Sequence, residues 1–71
     1  MPDMTPQERR ADRIKRLRVA LRLTKGRCRR RLGGTSWQLW NRLEDPSANP
    51  TEKNLIAAAR VLHVRIEDLY R

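Results

Sequence analysis

The sequence predicts an all-α domain over residues 6–71, built from five short helices and preceded by a short N-terminal tail at 1–5. Three observations predict it. Apolar residues recur at spacings of three and four, with no strand-like alternation of useful length. Hydroxyl residues stand where helices would begin, and Gly33-Gly34 and Pro46 stand where they would end.

Thr5-Pro6-Gln7-Glu8 reads as the start of helix 1: Thr5 is the N-cap, proline takes the first helical position and Glu8 completes a capping box. The helix is expected over about 6–22, with Ile14, Leu17 and Leu21 on one face and the arginines at 9, 10, 13, 16, 18 and 22 on the others. Thr24 caps a second helix at about 25–32, closed by Gly33-Gly34, where glycine permits the positive φ of a helix C-terminus. Gly26 inside it costs about 1 kcal/mol against alanine.

Thr35-Ser36-Trp37-Gln38 offers a further capping box, so helix 3 is expected at about 36–44. It must stop by Glu44 or Asp45, because Pro46 drives its predecessor out of the α region. The segment 45–50 is a loop. Helix 4 starts at Pro50 or Thr51 with Leu55, Ala59 and Leu62 on one face, and after a turn at 63–65 a last short helix places Ile66 and Leu69 inward.

Size and charge narrow the function classes. Seventy-one residues make one small domain whose stability is marginal unless something pairs with it. The single cysteine, Cys28, excludes an intrachain disulfide, fits a reducing interior and is expected to fill a small core gap. One Cys and one His exclude a four-ligand zinc site. No apolar run approaches the roughly 20 residues that cross a bilayer, and the N-terminus lacks the apolar core of a signal peptide, so a soluble, cytoplasmic and nucleoid-associated protein is expected. No carboxylate pair, nucleophile with its base, or glycine-rich phosphate loop is visible, so neither an enzyme nor a cofactor or small-molecule ligand is expected.

The formal charge of +9 is unevenly spread. Residues 9–31 hold twelve Lys or Arg against the single Asp12, whereas the remainder carries five basic and seven acidic residues. A one-sided basic field attracts polyanions by counterion release whatever their sequence, and nucleic acid is the foremost such partner. An anionic membrane surface is the rival, weakened because the chain continues into patterned segments that look like a packed domain. Short helices with a tight glycine turn between the second and third suggest a helix-turn-helix domain; a generic bundle has fewer and longer ones.

From Arg13 to Leu69 the chain resembles the phage-repressor-like helix-turn-helix proteins of the Cro and cI type. RIKRLRVALRLT looks like the family's first helix, and LGGTS looks like the turn and cap before its recognition helix. Glu44, Pro50, Thr51, Leu55, Ala59, Leu62, Val64 and Leu69 are similar in spacing to the downstream half. The departures lie in helix 2: Cys28 and Arg29 stand where leucine and a small alanine are usual, so Arg29 must bend outward or the helices must separate. His63 stands in a turn where the family usually has glycine.

The resemblance implies a compact repressor-like fold whose helix 3 lies in the major groove of duplex DNA. Two alignments of helix 3 remain open. With Ser36 as cap, Trp40 and Leu43 are buried while Trp37, Gln38 and Arg42 meet base edges; with Thr35 as cap, Leu39 is buried, Ser36, Trp37 and Asn41 face DNA and Arg42 points into the core. The first is preferred, since a buried unpaired arginine is expensive. Gln38 matches adenine N6 and N7, and Arg42 matches guanine O6 and N7, each good pair being worth about 1–3 kcal/mol of discrimination. Asn41 and Ser36 are shorter and reach a base or a phosphate. Trp37 either packs over a thymine methyl or a sugar, or is half-buried core.

Thr24 and Lys25 open helix 2, where free backbone N–H groups favour a phosphate. Arg27, Arg30 and Arg31 add sequence-independent attraction, and Ser47 and Asn49 reach the backbone from the loop after helix 3. Glu44, in the family reading, holds helix positions together and does not touch DNA. The expected function is a sequence-specific transcriptional regulator, a small bacterial or phage repressor. It would act as a homodimer, formed in solution or only on DNA, with Leu69 and Tyr70 as interface candidates because no separate dimerisation segment is visible. Two alternatives stand beside it: an antitoxin-like interaction module, and RNA binding through the arginine-rich helices.

Overall fold

The computed structural model describes residues 4–33 and 37–71, with Trp37 described by its backbone alone. The described residues form four α-helices, α1 (Pro6–Ala20), α2 (Lys25–Arg31), α3 (Trp37–Leu43) and α4 (Glu52–Val61), and no strand. The expected fifth helix is a single stretch of 3-10 helix, Ile66–Tyr70. Five residues are too few to gain from regular α-helical hydrogen bonding, and the tighter i to i+3 pattern is the usual form of such short pieces.

Each start follows from a hydroxyl cap. Glu8 N–H donates to Thr5 Oγ1 at 3.2 Å while Thr5 N–H donates to Glu8 Oε1 at 3.2 Å, closing the expected capping box. Arg27 N–H donates to Thr24 Oγ1 at 3.1 Å, and Asn54 N–H donates to Thr51 Oγ1 at 3.2 Å. The expected cap of α3 at Thr35 or Ser36, and Gly34 beside it, lie outside the described residues.

The ends of α1 and α4 share one device. The amides of Arg22 and Leu23 donate back to the carbonyls of Val19 and Arg18, and those of His63 and Val64 to the carbonyls of Arg60 and Ala59. Such closure demands a left-handed residue just past the cap. Arg22 has φ 56° and His63 has φ 58°, so both turns accept a side chain where glycine is cheaper; at the end of α2 the same place is held by Gly33 with φ 109°. The early closure corrects the expectation for Leu21. With α1 ending at Ala20, Leu21 caps the helix and is 43% exposed, and Leu23 turns inward in its place.

The core gathers one residue or more from every element: Ile14, Cys28, Trp40, Leu43, Leu55, Ala58, Leu62 and Leu69, with Leu17, Val64 and Ile66 packed against them. Helix α1 lies on the 3-10 helix and on α3, α2 lies on α3 and α4, and α4 closes on the 3-10 helix. Cys28 and Trp40 occupy the interior as expected. Leu69 is wholly enclosed in this core, so it cannot meet a second chain; the expectation that it lies in a dimer contact is corrected, and only Tyr70 of that pair reaches the surface.

Candidate nucleic-acid interface

Helix α3 is held in place from inside by two arginines of α1. Arg10 is 1% exposed, although the charge pattern assigns it to a solvated face. Its Nη1 donates to the carbonyl of Leu43 at 2.6 Å, of Arg42 at 3.1 Å and of Asp45 at 3.2 Å, and its Nη2 donates to the carbonyl of Ala48 at 2.8 Å. The end of α3 and its following loop supply these carbonyls; those of Arg42 and Asp45 also accept the amides of Asp45 and Ala48. A cation is also favoured at the negative end of the helix dipole. Burial lowers the pKa of Arg10, opposed by Tyr70 and Asp45 nearby; a guanidinium keeps its charge regardless.

The second tie is Arg18. Its Nε and Nη2 donate to Glu44 Oε2 and Oε1 at 2.6 and 3.1 Å, a bidentate pair with side chains 14% and 5% exposed. Hydrogen bonding to Glu44 raises the pKa of Arg18 despite burial. Trp40 Nε1 donates to the same carboxylate, so the tryptophan's polar edge is satisfied while its body stays in the core. Glu44 thus joins α1 to α3. Both arginines share the face of Ile14, since 10, 14 and 18 recur every fourth residue, but that period does not show which partners enclose them.

With α3 so fixed, Trp40 and Leu43 face the core, Leu39 is half-buried, and Gln38, Asn41 and Arg42 stand in solvent. Of the two alignments left open above, this is the burial pattern of the one capped at Ser36. Ser36 and the side chain of Trp37 lie outside the described residues, so their expected base contacts do too.

Two hollows frame the exposed strip. Lys25, Gly26, Arg29, Trp40 and Asn41 line a crevice between α2 and α3. Arg29, at a position usually small in the family it resembles, is half-buried beside this crevice. On the other side Arg42 shares a hollow with Asn49 of the loop and Asn54 of α4. The band from Lys25 through Asn41 and Arg42 to Asn49 is therefore continuous, and Asn54 is a member that sequence reasoning missed. Its position in the first turn after the loop was the available signal.

The other candidates divide. Thr24 and Arg27 are exposed at the opening of α2, near Lys25, and Arg30 is exposed further along it. Arg31 lies apart, around a hollow with Arg60, Val61 and His63. Ser47 is exposed but locally engaged, its hydroxyl and amide both donating to Asp45 Oδ1 at 2.7 and 2.9 Å. Among the described residues there is no cluster of three metal-ligating side chains, and no helix long and apolar enough to cross a membrane.

A comparison with family models, with curated proteins and with solved structures finds no match to this chain.

Proposed function

We propose that this protein is a sequence-specific binder of double-stranded DNA, a helix-turn-helix transcriptional regulator of the small repressor type that presents α3 to the major groove. The observation that supports it most is the polar strip Gln38, Asn41 and Arg42 on α3, flanked by Lys25 and Asn49 and backed by buried Trp40 and Leu43. Amide and guanidinium groups suit the donor and acceptor patterns of base edges. The flanking Thr24, Lys25, Arg27, Arg30 and Asn49 suit phosphates on either side.

The charge supports the same reading, because +9 on a domain this small is a strong field that attracts polyanions. RNA binding through an arginine-rich helix is less well supported, since Arg10 and Arg18 of that run are spent inside the protein. Selection of bound sites from random duplex DNA tests the proposal. Recovery of a common motif is expected. Winners without a motif, or stronger retention of structured RNA in competition, would remove it.

A further inference from the structure

We infer that the outer face of α4 pairs with α4 of a second copy about a two-fold axis at Ile56. The inference stands on the pattern of α4 alone and does not require the duplex reading. Ile56 is 38% exposed on a helix whose other large apolar residues are buried. It lies in a shallow groove lined by Glu52, Lys53, Ala57 and Arg60.

Glu52, Ile56 and Arg60 form one i, i+4, i+8 ridge, the row that interdigitates with its like in the commonest helix-packing class, crossing at about −50°. Run two such ridges antiparallel and each reads Glu, Ile, Arg against Arg, Ile, Glu. Ile56 of one copy then enters the partner's groove over Ala57, the small residue that leaves it open, and each Glu52 meets an Arg60 across the axis. Within one chain these two charges are eight residues and about 12 Å apart along the helix, beyond the reach at which helix pairs meet. Neither makes an ion pair among the described residues. Lys53, on the opposite wall, opposes the partner's Arg60 and holds the pairing weak.

One helix face offers much less than the roughly 800 Å² per partner of a standard interface, so self-association is expected only at high protein concentration or when two copies are held side by side. Self-association of the full chain at low salt, followed by sedimentation equilibrium, tests this. Glu52→Arg and Arg60→Glu are each expected to weaken it about tenfold, and the double variant to restore it, because reversal of both charges preserves the pairing. Lys53→Glu is expected to tighten it. Ile56→Cys should cross-link across the axis under mild oxidant faster than Val19→Cys, although Val19 is the more exposed at 57%. All five positions are on the surface, and the circular dichroism of each variant checks its folding. A chain that stays monomeric throughout, single reversals without effect, a double variant that fails to recover, or faster cross-linking at position 19 would each overturn the inference.

Discussion

Arg10 reaches from α1 to donate a 2.6 Å hydrogen bond to the carbonyl of Leu43, 33 residues along the chain, and in doing so gives the end of α3 a partner inside the protein. The same guanidinium binds the carbonyls of Arg42, Asp45 and Ala48. One side chain therefore sets both the last turn of the proposed recognition helix and the loop that carries Asn49.

Replacing Arg10 by glutamine should cost about 3 kcal/mol of stability, because the shorter amide leaves the carbonyls of Leu43 and Ala48 without the guanidinium's donors. Urea unfolding measures it. A loss under about 1 kcal/mol would mean that the carbonyls find water, and that Arg10 does not anchor α3.

Much of this was legible in the sequence, and the exceptions have physical causes. Hydroxyl caps at Thr5, Thr24 and Thr51 are local chemistry, decided within four residues, and the structure has all three. The inward face of α4 followed from period, whereas that of α3 was open between two alignments until the cost of burying Arg42 favoured one. The burial of Arg10 and Arg18 did not follow from period, because it depends on partners 26 to 38 residues away that no local pattern reveals. Leu21 departs for the opposite reason: its stripe runs past the end of α1, which closes at Ala20 with Arg22 in the left-handed region. The proposed interface is legible only in part, since exposure of Gln38, Asn41 and Arg42 follows from the helix, whereas their framing by Lys25, Asn49 and Asn54 is tertiary.

His63→Gly and Arg22→Gly should each stabilise the protein by about 1 kcal/mol, because both residues hold a positive φ that glycine adopts without strain. Gly33→Ala should do the reverse at φ 109°, although an added Cβ there meets nothing within 4 Å. Thermal unfolding of the three variants compares the signs directly. Destabilisation by His63→Gly would show that the imidazole makes a contact worth more than the relief of strain.

Asp45 has its pKa lowered by the Ser47 hydroxyl first and the Ser47 amide next. A carboxylate depressed in the folded state stabilises above its unfolded pKa, near 3.9, and loses that contribution as pH falls through the lower folded value. Ser47→Ala should therefore raise the Asp45 pKa in an NMR titration and leave the pH dependence of stability above pH 7 unchanged. An unchanged Asp45 titration would show that the turn forms without the hydroxyl.

Cys28 is fully enclosed, and burial raises its thiol pKa. The unfolded chain then ionises at a lower pH than the folded one, so stability should decline as pH rises above about 8.5, the ordinary thiol value. Modification by a thiol reagent should proceed only at the rate of opening. Fast labelling at neutral pH under native conditions would place the thiol at the surface.

The most direct test of the account compares Gln38→Ala, Arg42→Ala and Lys25→Ala for affinity to a selected duplex and to random duplex. The two α3 variants should lose about 1–3 kcal/mol on the selected site and little on random DNA, while Lys25→Ala should weaken both alike and lower the salt dependence by about one ion. Equal losses on both duplexes for Gln38→Ala and Arg42→Ala would contradict the assignment of α3 as the element that reads sequence.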